Sequence, residues 1–107
     1  MVTHKQIELL DNLQSLLEKQ IELTQQGKIS KIAAVSEQAN SLVEKIAQEE
    51  ILELAEFKNR QEQLQELYND LCLAVAAQKA ATAEMLSRVR KGKKLLCTYA
   101  TSLNNKV

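Results

Sequence analysis

The chain has 107 residues, of which 45% are hydrophobic, 26% charged and 3% aromatic, and its formal net charge at pH 7 is zero. This length predicts one domain over residues 1–107, with a modest core and no room for a deep catalytic cleft. Proline is absent and only Gly27 and Gly92 are glycines, whereas a β fold needs frequent turn residues. The composition therefore predicts an all-α fold of a few long helices.

Charge is unevenly distributed along the chain. Residues 1–84 contain all 14 acidic side chains and eight of the 14 basic ones, a net charge of −6. Residues 85–107 contain the other six basic side chains and no acidic one, a net charge of +6. A charge block of this kind is typical of an interacting end of a protein, although the two ends of one small chain also attract each other.

The first predicted helix extends from about residue 3 to residue 26. Thr3 is the expected N-cap, and Gln6 is placed to complete a capping box. Gly27 is expected to adopt the left-handed conformation that ends a helix. One broad face of this helix carries its apolar residues at helical spacing: Leu9, Leu10, Leu13, Leu16, Leu17, Leu23 and Thr24.

The second predicted helix extends from about residue 30 to residue 50, with Ser30 as its N-cap. Its apolar residues also recur at steps of three and four: Ile32, Val35, Ala39, Leu42 and Ile46. The short link at Gly27 predicts that the first two helices form an antiparallel hairpin. The apolar pattern is then interrupted, which predicts a turn or kink between residues 48 and 59. The alternative is one helix over residues 30–102, about 110 Å long.

The third predicted helix is long and extends from about residue 57 to residue 103. Its apolar stripe steps by four and three throughout: Leu64, Tyr68, Leu71, Val75, Gln78, Thr82, Met85, Val89, Gly92, Leu96, Tyr99 and Leu103. At about 68 Å this helix is nearly twice as long as the hairpin, whose helices are about 36 Å each. The expected architecture is thus an antiparallel hairpin packed on one long C-terminal helix, a three-helix coiled-coil-like bundle.

A hairpin of that length leaves the C-terminal half of the long helix uncovered. An apolar helix face without an internal partner predicts an external one. The candidate partner-binding residues are Met85, Leu86, Val89, Gly92, Leu96, Tyr99 and Leu103. The same segment carries a basic flank, Arg88, Arg90, Lys91, Lys93 and Lys94. This pattern predicts a protein-binding helix, with the basic residues in a supporting role.

Other functions fit the sequence less well. No aromatic residue interrupts the basic cluster and the rest of the chain is acidic, which argues against nucleic acid as the partner. Large membrane anchors are scarce on the apolar face, and no apolar run reaches membrane-spanning length, so we expect no stable membrane insertion. The one histidine, His4, is terminal, and we expect no catalytic residues, metal or cofactor. Cys72 and Cys97 are expected as reduced thiols in a cytoplasmic protein.

Two segments resemble a known family. The segment Gly27-Lys28-Ile29-Ser30-Lys31-Ile32, with Leu42, Val43 and Ile46 after it, resembles the hairpin of FlgN-type flagellar export chaperones. Residues 86–99, with basic side chains around Gly92 followed by Tyr99, resemble the last helix of that family. Many members have asparagines in the middle of the long helix, whereas residues 78–82 of this chain contain none.

The resemblance implies a cytosolic chaperone of type III secretion in flagellum biogenesis. It would bind hook-associated proteins through its last helix, prevent their premature assembly and deliver them to the export apparatus. A related chaperone, of the FliT type, has a fourth helix that is autoinhibitory, for which this chain has little room. The alternative interpretation is an oligomeric coiled-coil scaffold in which the third helix pairs with a second copy.

Overall fold

The computed structural model describes residues 3–49, 51, 55–79 and 81–104, with side chains as far as Leu96. It confirms the all-α class, because no strand occurs in these residues. The elements are α1 (His4–Gln25), a short 3-10 helix (Ile29–Lys31), α2 (Ile32–Gln48), a second 3-10 helix (Ala55–Phe57), α3 (Lys58–Ala76) and α4 (Ala83–Asn104).

Both ends of α1 are formed by the residues that the sequence indicates. The Gln6 amide donates to Thr3 Oγ1 at 3.2 Å, and the Thr3 amide donates to Gln6 Oε1 at 2.9 Å, which completes the capping box. At the other end Gly27 has a φ of +76°. The Gly27 amide donates to the Thr24 carbonyl and the Lys28 amide to the Leu23 carbonyl, the Schellman pattern that satisfies the last carbonyls of a helix.

The second helix begins close to residue 30, but the prediction that Ser30 is its N-cap is wrong. The chain already coils at residue 29, in the 3-10 turn Ile29–Lys31, and α2 follows with Lys31 as an N-cap that makes no side-chain hydrogen bond. Ile29 is only 7% exposed, and the tight turn is what carries it into the core. Ser30 consequently lies inside the turn, with its side chain exposed.

The chain leaves α2 at Gln48 and enters α3 at Lys58, in the interval where the sequence predicts a turn. The alternative of one helix over residues 30–102 is therefore wrong. Ile51 and Phe57, from the described part of this connection, are buried with exposures of 0% and 6%. A straight helix would have carried these two side chains away from the core that they now fill.

The predicted long third helix is also wrong, and so is the count of three helices. The chain turns back after Ala76, and a separate helix, α4, begins at Ala83. Thr82 Oγ1 accepts a hydrogen bond from the Met85 amide at 3.2 Å and caps the new helix. The physical reason is apolar burial: the fold-back buries Val89 and Leu96, which a straight rod would have exposed.

The four helices occupy the corners of a square. α1 packs on α2 and α3, α4 also packs on α2 and α3, and α1 and α4 are therefore diagonally opposed. All four helices contribute to one core. Its most deeply buried large side chains are Leu10, Leu13, Leu17, Ile32, Val43, Ile46, Ile51, Leu64, Tyr68, Leu71 and Leu96, with Gln20 among them.

A buried polar contact aligns α1 with α2. The Ser36 hydroxyl donates to Gln20 Oε1 at 2.6 Å, and the Thr24 hydroxyl donates to the Gln20 carbonyl at 2.7 Å. All three side chains are nearly fully buried. Because an unpaired buried polar group costs free energy, the Ser36–Gln20 bond, which joins the two helices, favours one register of the hairpin over any shifted one.

We expect Gly27→Ala to lower the free energy of unfolding by about 1 kcal/mol, because a Cβ disfavours the left-handed conformation. No other atom lies within 4 Å of the position that a Cβ would take, so the cost comes from the backbone alone. Gly27→Asn should cost less, since asparagine tolerates this conformation. Urea unfolding followed by circular dichroism measures both; equal stability of all three proteins would contradict the left-handed cap.

Candidate binding surface on the fourth helix

The apolar side of α4 is covered by the same chain as far as Leu96. Val89 is 1% exposed, Leu96 is fully buried, and Gly92 is buried between them. Met85 and Leu86 are half-buried. The expectation that the folded chain leaves this stretch uncovered is therefore wrong, because α2 and α3 pack against it. The side chains of Tyr99 and Leu103, the other two predicted contact residues, lie outside the described part of the structure, as does that of Cys97.

Gly92 is the point at which α4 approaches its neighbours most closely. A Cβ at this position would collide with Asn40 Oδ1 from α2 and would lie 2.7 Å from the hydroxyl oxygen of Tyr68 from α3. Any larger residue would thus push α4 away from both helices. The glycine is required here by close packing, since its φ is not in the left-handed region.

Asn40 and Tyr68 are held in place around Gly92. The Asn40 side-chain amide donates to the Arg88 carbonyl of α4 at 3.2 Å. Tyr68 is 1% exposed, and its hydroxyl has no hydrogen-bond partner among the described residues. Burial raises the pKa of the Tyr68 phenol well above its usual range, and the nearby Cys72 raises it further.

Asn40 was not among the residues that the sequence pattern indicated. It lies beside Ala39 of the apolar stripe of α2, and asparagine is a poor helix former in the middle of a helix. The presence of this poor helix former in the middle of α2 was the only sign in the sequence that Asn40 contacts another helix. Tyr68 was assigned to the apolar stripe, but its contact with Gly92 depends on a fold-back that the pattern did not indicate.

The basic flank forms the solvent side of α4. Arg90, Lys91 and Lys94 are exposed, whereas Lys93 and Arg88 are half-buried. Arg88 Nη2 lies 2.8 Å from Glu84 Oε1, one turn earlier on the same helix. Being exposed, that pair contributes little stability. The structure thus separates the two features that the sequence placed together: the apolar residues face the core and the cations face water.

A shallow surface groove of about 320 Å³ runs along the line where α2 and α4 meet. Its α2 side is lined by two acidic and two neutral side chains, Glu37, Glu44, Asn40 and Ser41, and its α4 side by the basic Arg88 and Lys91. The groove consequently carries charges of both signs. The purely cationic surface of α4 is centred on Arg90 and Lys94.

Among the described residues, no group of three or more His, Cys, Asp or Glu side chains is placed to hold a metal ion. No helix in that part of the chain is both long and apolar enough to cross a membrane. Comparisons with protein families, with curated proteins and with solved structures find no match for this chain.

We expect Gly92→Ala to destabilise the protein by about 1–3 kcal/mol through overpacking, although alanine favours a helix by about 1 kcal/mol over glycine. In an Asn40→Ala, Tyr68→Phe background the same change should cost less, because both colliding polar groups are gone. Chemical unfolding of the four proteins measures this coupling. A Gly92→Ala protein that is more stable than the wild type would show that α4 does not pack this closely.

We expect stability to fall as the pH rises above about 10, where an unfolded tyrosine ionises. The unfolded state then binds fewer protons than the folded state, in which Tyr68 stays protonated, so the free energy of unfolding decreases. The loss is at most about 1.4 kcal/mol per pH unit from one such group. Tyr68→Phe should show a shallower alkaline slope in unfolding experiments between pH 9 and 11.5; identical slopes would contradict the burial of this phenol.

Proposed function

We propose that the protein is a flagellar export chaperone of the FlgN type. It would bind the C-terminal region of a hook-associated protein in the cytosol, prevent premature assembly and aid delivery to the export apparatus. The resemblance of residues 27–32 and 86–99 to that family supports the proposal. So does the exposed cationic side of α4, Arg90, Lys91 and Lys94, which lies within the second of these segments and is the observation that carries the proposal.

The packing of α4 changes how such a client would bind. Because Val89 and Leu96 are committed to the core, the client would meet the outward side of the helix first. Cations there attract an acidic segment and accelerate its association, and salt weakens the attraction. We therefore propose an acidic client segment, bound with moderate affinity and strong salt dependence.

A protein client fits this surface better than a nucleic acid does. A short acidic segment can contact α4 alone. A long polyanion would run beyond α4 across the rest of the protein, which carries a net charge of −6 over residues 1–84 and would repel it. In the closed chain, α2 and α3 cover the apolar stripe of α4 as far as Leu96, so a second copy could pair with that stripe only if α4 first left its own bundle.

The test is charge reversal on α4 with a matched control. The test variant is Arg90→Glu, Lys91→Glu, Lys94→Glu. The control is Lys19→Glu, Lys28→Glu, Lys31→Glu, which alters three other exposed cations and changes the net charge by the same amount. Binding of purified C-terminal fragments of hook-associated proteins is measured by titration at low and high salt, and circular dichroism checks that both variants fold.

We expect the α4 variant to bind about tenfold more weakly at low salt, since three peripheral charge contacts are each worth up to about 1 kcal/mol. The control should bind within about twofold of the wild type. Equal binding by both variants would contradict the proposed surface. Failure of the wild-type protein to bind any such fragment would contradict the proposed family of clients.

A further inference from the structure

The three–four spacing of the core positions of α3 continues in phase into α4, although the two positions that fall in the link, Gln78 and Thr82, are polar. Steps of four and three run from Leu64, Tyr68, Leu71 and Val75, through Gln78, Thr82 and Met85, to Val89, Gly92 and Leu96. A turn between two helices does not require this, because each helix could present its core face in its own phase. With the phase preserved, a straightened α3–α4 segment would carry every one of these residues on one side.

The link itself, residues 77–82, consists mostly of strong helix formers. It contains three alanines, one glutamine and one lysine, and neither glycine nor proline. Its described backbone bonds are short-range: the Gln78 amide donates to the Val75 carbonyl, and the Ala81 amide to the Gln78 carbonyl, both at 3.1 Å. The Thr82 cap on α4 is the clearest feature that favours the turn over a continuous helix.

We propose that a second copy of this chain exchanges α4 with the first. In the exchanged dimer, α3, the link and α4 of each chain form one helix, and each α4 docks on α2 and α3 of the other copy. Tyr68 and Gly92 lie twelve residues on either side of residue 80. If two straight helices lie antiparallel and cross at position 80, each Gly92 therefore lies beside the Tyr68 of the other copy. In the single chain the same two residues are in contact within one molecule.

The exchanged dimer keeps the interior of the bundle unchanged. Val89, Gly92 and Leu96 would occupy the same sites, supplied by the other copy. The two states differ in the link, where a turn becomes helix, and in the entropy of association. Domain exchange of this kind is favoured by protein concentration and by anything that disfavours the turn.

Two substitutions in the link act on the exchange in opposite directions. Thr82→Ala removes the cap of the closed chain and improves the continuous helix, so it should tighten dimerisation by roughly thirtyfold. Ala83→Pro suits the closed chain, in which residue 83 is the first of α4, a position that proline favours. Within a continuous helix proline is strongly disfavoured. The double variant Thr82→Ala, Ala83→Pro should therefore dimerise more than about a thousandfold more weakly than Thr82→Ala alone.

Sedimentation equilibrium after refolding at high protein concentration measures these effects, with Ser87→Ala, an exposed position on α4 without a capping role, as the matched control. Ser87→Ala should dimerise as the wild type does. A Thr82→Ala protein that remains monomeric at millimolar concentration would overturn the proposal. Equal dimerisation with and without Ala83→Pro would overturn it too.

An intrachain distance separates exchange from simple surface association. Spin labels at Glu66→Cys and Lys94→Cys, in a Cys72→Ser, Cys97→Ser background, lie on neighbouring helices of the closed bundle, whose axes are about 10 Å apart. In a continuous helix the same residues are about 42 Å apart. When labelled chains are refolded with an excess of unlabelled chains, most dimers that contain a label contain only one labelled chain. That chain should show the long distance. Dimers that retain only the short distance would overturn the exchange.

Discussion

The close approach of α4 to α2 and α3 at Gly92 is the contact on which the rest of the structure depends. Asn40 and Tyr68 fill the space that a Cβ would need, and Asn40 hydrogen-bonds the α4 backbone. Val89 and Leu96, one turn on either side, can then enter the core. This contact also fixes the register of α4, because the half-buried Asn40 and the buried Tyr68 both meet Gly92 in only one position of the helix. The fourth helix thereby adds Val89 and Leu96 to the core that α1, α2 and α3 form.

That contact also determines what α4 can offer to a partner. Its apolar residues as far as Leu96 belong to the core, and its cations Arg90, Lys91 and Lys94 belong to the surface. In the proposed function, recognition through α4 would therefore be electrostatic at first contact. Association steered by exposed charge is fast and salt-sensitive, properties suited to a partner that must be released again.

Local signals in the sequence predicted the ends of α1 correctly, because a capping box and a left-handed glycine are made by neighbouring residues. The interruption after Gln48 was also visible, as a break in the apolar pattern. The reversal after Ala76 was not, because residues 77–82 contain neither glycine nor proline and the three–four spacing of the stripe continues through them at Gln78 and Thr82. The Thr82 cap favours the fold-back locally, but the larger gain comes from burying Val89 and Leu96, and a one-dimensional pattern does not contain that gain. The role of Asn40 was missed for the same reason, since its partner lies 48 residues away.

Native-state hydrogen exchange on the dilute protein tests the docking of α4 most directly. Amides of α4 between Val89 and Leu96 should exchange as slowly as those of α3 between Leu64 and Val75, because both segments open only when the common core opens. Exchange of the α4 amides several orders of magnitude faster than those of α3 would mean that α4 is not docked, and would contradict the four-helix core with Gly92 at its closest contact.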